Sequence, residues 1–170
     1  LVSEALYLDD PEGNGIEIYR DRPRAEWERE GGELRMATLP LDVEAVVGEM
    51  PAGPDEGMPE GTTMGHVHLQ VGDVQTAQDF YVGTLGFEKT AGWHGQALFV
   101  SAGGYHHHMA MNVWNSRGAG KRANTLGLGR IDIEVPAADD LGGLVERMNH
   151  HGLATRDDGR TVSVDDPWGN

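Results

Sequence analysis

Residues 65–73 read GHVHLQVGD, a strict alternation of apolar and polar side chains. A β-strand sends successive side chains to opposite faces, so Val67, Leu69 and Val71 share one face. The other face carries His66, His68 and Gln70. The pattern predicts a strand that packs through its apolar face and presents nitrogen ligands on the opposite one.

A helix is predicted directly after this strand. Asp73 is a suitable N-cap, and apolar residues recur at helical spacing from Val74 to Leu85, where Gly86 follows. This helix provides a surface on which the apolar face of the strand can pack. The histidine-bearing face then does not contact the helix and is free to line a different part of the molecule.

The composition excludes several classes of function. The chain has no cysteine, which excludes disulfides, zinc–thiolate sites and thiol nucleophiles. Its formal net charge is −15, from 28 acidic and 13 basic residues, and such a surface repels nucleic acid and anionic membranes. No apolar run approaches the ~20 residues needed to span a bilayer, and no signal peptide is evident, so we expect a cytoplasmic protein.

An internal repeat organises the chain. The sequence DDPWGN at 165–170 matches DDPEGN at 9–14, and alignment of the copies on their strands gives a unit of strand, helix and three strands. The repeat predicts an α+β fold of tandem βαβββ modules.

Five segments follow from this alignment. We predict part of an N-terminal module with a following helix, a linker rich in Pro, Gly and acidic residues, a complete module, a loop, and a further module that lacks its last strand. These segments are, in order, residues 1–50, 51–64, 65–115, 116–127 and 128–170.

Three consecutive histidines occur in the segment 105–114, which is predicted to be the last strand of the complete module. In such a strand, His107 would share a face with Met109 and Met111, opposite His106 and His108.

Several of these motifs resemble the vicinal oxygen chelate superfamily, which includes glyoxalases, antibiotic-resistance binding proteins and extradiol dioxygenases. The motifs are His66-x-x-Leu69-x-Val71-x-Asp73, Phe80-Tyr81 and Leu85-Gly86-Phe87. Longer strings at 2–7, 10–23 and 103–108 look like four-module catechol 2,3-dioxygenases. The resemblance implies that curved sheets form cups, with the helices outside.

The resemblance also implies an activity: extradiol (meta) ring cleavage of a small aromatic diol by O₂ at a non-haem Fe(II), with Mn(II) as the alternative metal. It places His66 and Glu17 among the metal ligands and puts the second histidine ligand upstream of Leu1. His107 matches the acid–base catalyst, whose pKa we expect to lie near neutrality, and Tyr7 matches a tyrosine that hydrogen-bonds an oxygen of the substrate. A homo-oligomer is expected.

Glu17 belongs to the predicted module that precedes the one containing His66. The reason for pairing His66 with this earlier module, and not with the later one, lies in the sequence of the later module. There, Arg130 or Asp132 stands where a ligand histidine is expected, and arginine stays protonated and cannot bind iron. We therefore predict that the site joins His66 and His107 to Glu17 and Tyr7.

Other residues and functions remain open at this point. His68 is the fallback ligand, and a β-bulge would exchange the roles of His107 and His108. The candidates for lining the substrate pocket are His68, His108, Met109 and Met111. The alternative functions are a metal-free protein of the same fold that binds a small aromatic or a drug, and a glyoxalase-like metal isomerase.

Overall fold

The computed structural model describes residues 1–50, 53–54, 57–123 and 126–170. Six residues of the predicted linker and loop therefore lie outside the described residues: Pro51, Ala52, Asp55, Glu56, Asn124 and Thr125. The chain divides into two units, Leu1–Gly65 and His66–Asn170. No helix in the described ranges has the length and apolar character needed to cross a membrane.

The first unit begins with a β-hairpin. Strands β1 (Ser3–Asp9) and β2 (Gly15–Asp21) pair antiparallel. In the turn between them, the Asp10 carboxylate accepts hydrogen bonds from the backbone N–H groups of Glu12 and Asn14, at 2.9 and 2.8 Å. This local bonding explains how an Asp-Pro-x-Gly-Asn sequence closes a hairpin.

Shorter elements follow the hairpin in this unit. They are a 3₁₀ turn at Arg24–Glu26, β3 (Arg29–Glu30), β4 (Glu33–Leu34) and helix α1 (Val43–Gly48). Asp42 caps α1 by accepting a hydrogen bond from Ala45 N at 3.0 Å. The predicted helix is confirmed, although it is shorter than the patterned segment.

The second unit contains the predicted βαβββ module. Its elements are β5 (Val67–Gln70), α2 (Val74–Gln78) with a π-helical continuation over Asp79–Thr84, β6 (Glu88–Trp93), β7 (Ala97–Ser101) and β8 (Met109–Asn112). The sheet order is β5-β8-β7-β6, with β5 parallel to β8 and the other pairs antiparallel. The first strand of the module therefore lies beside its last one.

The core of this module forms where the apolar face of the sheet meets α2. Asp73 caps α2 as predicted, accepting hydrogen bonds from the backbone N and the hydroxyl of Thr76 at 2.7 and 2.8 Å. The buried side chains from the sheet and helix include Leu69, Val71, Ala77, Phe80, Leu98, Val100, Met109 and Met111. Burial of each larger side chain contributes about 1.5–3 kcal/mol, so this layer holds β5 in place.

The structure corrects the prediction for the segment 105–114. Strand β8 begins only at Met109, so His106, His107 and His108 precede it. Gly103 and Gly104 adopt φ of 66° and 70° and make a turn directly before the predicted strand, but residues 105–108, which the pattern predicted to be extended, lie outside β8. Because Met109 and Met111 lie opposite Val67 and Leu69 in the parallel ladder, they share the apolar face, and His107 does not lie with them.

The final segment contains helix α3 (Ala138–His150) and a short hairpin, β9 (Arg156–Asp157) and β10 (Val162–Ser163). Residues 128–135, predicted to be a strand, are not in a strand. Their alternating pattern favours extended chain, but no described strand pairs with them, and a ladder needs a neighbour. Ile131 nevertheless packs against the core of the unit.

The repeated loop at 165–170 has the same bonding as the loop at 9–14, with an added anchor. Asp166 accepts hydrogen bonds from the backbone N–H groups of Trp168 and Asn170, at 2.9 and 2.8 Å. In addition, the buried Tyr81 hydroxyl donates to Asp166 at 3.0 Å, and the indole N–H of Trp168 donates to Ala119 O at 3.0 Å. The second copy of the loop is thereby fastened to the core.

Asp10 and Asp166 occupy equivalent positions in the two loops. Replacement of each one should separate local turn bonding from anchoring of the loop to the core. We expect Asp166→Ala to lower the free energy of unfolding by about 2–4 kcal/mol, because it removes a buried acceptor and leaves the Tyr81 hydroxyl without its partner. Asp10→Ala removes only the local turn bonds and should cost about 1 kcal/mol. Urea unfolding of the two variants measures the difference, and equal losses would contradict the anchoring role of Asp166.

Candidate metal centre

Two of the candidate histidines come from one end of β5. His68 lies in β5 and His66 lies just before it, and their ring centroids are 5.2 Å apart. His66 is half-buried and His68 is exposed. The alternation that places Val67 and Leu69 toward the core thus leaves these two rings together on the opposite face.

The parallel ladder brings the segment before β8 to this position. Val67 N donates to His108 O at 3.1 Å, which extends the pairing of β5 with β8 toward the histidines. The ring of His107 consequently lies 4.2 Å from that of His66 and 5.9 Å from that of His68, between centroids. One ring nitrogen from each of His66, His68 and His107 lies within 4.8 Å of the other two. We call these three residues the histidine cluster.

The two ring nitrogens of His107 have different surroundings. Nδ1 lies 2.9 Å from Nδ1 of His106, in a buried hydrogen bond. Nε2 is also buried, and within the described part of the chain it has no hydrogen-bond partner. A buried polar atom without a partner is costly, and such atoms in native structures often mark a site for a ligand or an ion.

The donor set of the cluster fits a transition metal. Imidazole nitrogen suits iron, zinc, copper and nickel, whereas magnesium and calcium prefer oxygen ligands. Binding of a metal or a substrate proton would also satisfy the isolated Nε2 of His107. The chemistry of these residues therefore fits the metal class that the sequence predicts.

Burial controls the protonation of His107. Its side chain is 2% exposed, and desolvation followed by repulsion from the rings of His66, His106 and His68 lowers the pKa of His107 to about 2. This pKa differs from the near-neutral value expected from the sequence. His107 is therefore a neutral imidazole, with a lone pair available on one nitrogen, at any pH near neutrality.

Phe99 lies beside the histidine cluster, although it is not among the site residues predicted from the sequence. Its ring lies 5.1 Å from that of His107 in an edge-on arrangement. Phe99 pairs with Ala110 and Ala110 pairs with His68, so these three side chains share one face of the sheet. The signal was present in the sequence, since Phe99 alternates with the core residues Leu98 and Val100.

Tyr7 and Glu17 are brought together in the first unit. They lie directly opposite each other in the β1–β2 register and so share a face of the hairpin. The hydroxyls of Tyr7 and Tyr19 are 2.8 Å apart. Desolvation, the hydrogen bond with Tyr7 and the charge of Glu17 raise the pKa of Tyr19 well above its usual value, so Tyr19 stays protonated.

The remaining candidates lie outside the histidine cluster. His108 is exposed, and its Nδ1 accepts a hydrogen bond from Ala102 N at 3.3 Å. Met109 and Met111 are buried in the core, so they do not line a pocket on the histidine-bearing face. Arg130 pairs with Asp132 at 3.0 Å, and both side chains are largely exposed.

The low pKa of His107 makes the stability of the metal-free protein depend on pH. The ordinary pKa of an unfolded histidine is about 6.5, so below that pH the unfolded chain binds a proton that the folded chain does not. The contribution of His107 to the free energy of unfolding is therefore fully present above about pH 6.5. Below that pH the free energy of unfolding falls by about 1.4 kcal/mol per pH unit. We expect His107 to account for a loss of about 1 kcal/mol between pH 7 and pH 5.5.

Urea unfolding with a chelator, at several pH values in that window, checks this prediction. The free energy of unfolding of His107→Gln should fall by about 1 kcal/mol less than that of the wild type. His150→Gln, at an exposed position, is the matched control and should keep the wild-type slope. A wild-type slope in His107→Gln would show that burial does not hold His107 neutral.

Comparisons with known proteins agree with this geometry. Residues 63–170 match the model of the Glyoxalase/Bleomycin resistance protein/Dioxygenase superfamily. The chain is 41% identical over 169 residues to a Bacillus subtilis (strain 168) protein named catechol-2,3-dioxygenase, covering 98% of this chain and 59% of that protein. This chain thus spans less than two thirds of the length of that curated relative.

A solved structure supports the fold. The crystal structure of lactoylglutathione lyase from Agrobacterium tumefaciens superposes with a TM-score of 0.50 at 19% identity, covering 66% of this chain and 91% of the other. At this identity the likeness concerns the fold alone, and it agrees with the βαβββ module seen here. The chain belongs to the glyoxalase/bleomycin resistance protein/dioxygenase superfamily.

Proposed function

We propose that this protein cleaves catechol-type aromatic diols with O₂ in the extradiol (meta) position, at a non-haem Fe(II). The observation that carries the proposal is the contact between His66, a proposed ligand, and His107, whose ring lies 4.2 Å away and whose buried Nε2 has no hydrogen-bond partner in the described part of the chain. The 41% identity to a protein named catechol-2,3-dioxygenase supports the same reaction class. Aromatic catabolism is the role that this reaction would serve.

The proposed metal ligands are His66 and Glu17, together with the second histidine ligand that the family resemblance implies. His68 is the alternative ligand, since its ring lies beside His66. When bound to such a site, ferrous iron supplies open coordination positions for a diol and for O₂. Arg130 takes no part in the proposed site because it stays charged and pairs with Asp132.

In the proposed mechanism, His107 acts as the acid–base residue. Its Nε2 carries a lone pair and accepts a proton from a hydroxyl of the diol. The low pKa of His107 means that it holds this proton only while a negative oxygen of the substrate lies beside it, because that charge offsets the desolvation of the imidazolium. His107 then returns the proton later in the cycle.

Tyr7 and Phe99 have supporting roles in this proposal. Tyr7 presents its hydroxyl to an oxygen of the substrate, and the hydroxyl of Tyr19, 2.8 Å away, fixes its position. The ring of Phe99 beside His107 offers an aromatic surface against which a planar diol can pack.

The test is anaerobic reconstitution of the full-length protein with Fe(II), followed by catechol and air. We expect a yellow ring-opened product, detected by its absorbance. His66→Ala and Glu17→Gln should lower kcat by more than the roughly 100-fold typical of losing an outer-shell partner, and should also lower the iron content.

Matched variants keep this test specific. Arg130→Ala and Glu12→Gln change charged residues that the proposal leaves unused, so they should keep the wild-type iron content and rate. Full iron content and activity in Glu17→Gln, or loss of iron in Arg130→Ala, would contradict the proposed ligand set. Bound iron without any product would favour a binding protein of the same fold.

A further inference from the structure

The buried pair His106 and His107 carries information beyond the proposed acid–base role of His107. The two side chains are 0% and 2% exposed, and their Nδ1 atoms lie 2.9 Å apart. A hydrogen bond between two imidazole nitrogens requires a proton on one and a lone pair on the other. The pair therefore allows only two arrangements of the shared proton while both rings are neutral.

The two arrangements differ in what they leave on Nε2 of His107. If His106 donated, the neutral His107 ring would carry its proton on Nε2, which is buried and has no partner among the described residues. If His107 donates, Nε2 keeps a lone pair and can accept a proton or bind a metal. Only the second arrangement leaves Nε2 of His107 able to act as a base.

Contacts from Thr90 and Tyr105 hold His106 beside His107. The pairing of β6 with β7 contains a β-bulge between Lys89 and Ala91, which leaves Thr90 out of the ladder. The Thr90 hydroxyl donates to His106 O at 2.6 Å and lies 3.2 Å from Phe99 O. The ring of Tyr105 lies 4.0 Å from that of His106, between centroids.

We propose that His106 is a positioning residue whose Nδ1 accepts the Nδ1–H of His107, which fixes the tautomer of His107 that has a lone pair on Nε2. The use of that lone pair as the acid–base group rests on the proposed dioxygenase function. The tautomer itself does not, because it follows from the buried Nε2 of His107, which has no partner among the described residues, and a buried donor is left unpaired less often than a buried acceptor. Nothing in the sequence distinguished His106 from its neighbours, since the strand pattern placed it on the face opposite His107.

Nitrogen-15 NMR of the full-length, metal-free protein tests the tautomer directly. With ring-labelled histidine and a chelator at neutral pH, long-range ¹H–¹⁵N correlations distinguish a protonated nitrogen from one with a lone pair. We expect His107 to carry its proton on Nδ1. A proton on Nε2 of His107 in the wild type would overturn the proposal without the need for any variant.

Two substitutions of His106 provide the matched comparison. The carboxamide oxygen of His106→Asn can still accept the hydrogen bond, so this variant should keep the Nδ1–H tautomer of His107. His106→Leu has no acceptor and should release His107 into a mixture of tautomers. His150→Leu, at an exposed position of α3, is the control and should keep the wild-type spectrum. An unchanged tautomer in His106→Leu would contradict the positioning role.

Kinetics of the iron-loaded protein separate this inference from the proposed function. General acid–base catalysis contributes about 10²–10⁴-fold, so His106→Leu should lose a large part of that factor in kcat while keeping its iron, and His106→Asn should recover most of it. If His107 carries the proton on Nδ1 but no ring cleavage occurs, the positioning role stands and the dioxygenase proposal fails. If an active enzyme has the proton on Nε2, the positioning role alone fails.

Discussion

The parallel pairing of β5 with β8 is the constraint on which the histidine cluster depends. The two strands are the first and last of their module, and the ladder aligns Val67–Gln70 with Met109–Asn112. This register places the apolar side chains of both strands against α2 and leaves His66 and His68 on the other face. It also brings His107, 41 positions after His66 in the sequence, beside the same two rings.

The site is built at a cost to stability, as functional sites often are. Burial of the imidazole of His107 favours its uncharged form and leaves its Nε2 without a hydrogen-bond partner among the described residues. The apolar layer of β5, β8 and α2 offsets this cost from the opposite side of the sheet. The anchored loop around Asp166 adds a second support, because its bond to Tyr81 reaches into the same core.

The alternation of apolar and polar residues, and the position of Asp73 before a helical pattern, were enough to predict β5, its two faces and the cap at Asp73. The repeat of Asp-Asp-Pro-x-Gly-Asn predicted equivalent loops, but not the buried bond that distinguishes Asp166 from Asp10. The predicted strand started at Tyr105 but β8 starts at Met109, because the backbone before it bonds elsewhere: His106 O accepts a hydrogen bond from the Thr90 hydroxyl. Residues 128–135 form no strand because no described strand pairs with them. An alternating pattern favours extended chain but does not specify a pairing partner.

Anomalous diffraction at the iron absorption edge, from crystals of the Fe(II)-loaded full-length protein, most directly tests whether His66 and Glu17 hold the metal beside His107. We predict one anomalous peak within coordinating distance of a ring nitrogen of His66 and of the Glu17 carboxylate, with His107 adjacent but not ligating. A peak bound by His66, His68 and His107 together, with Glu17 out of reach, would contradict this assignment.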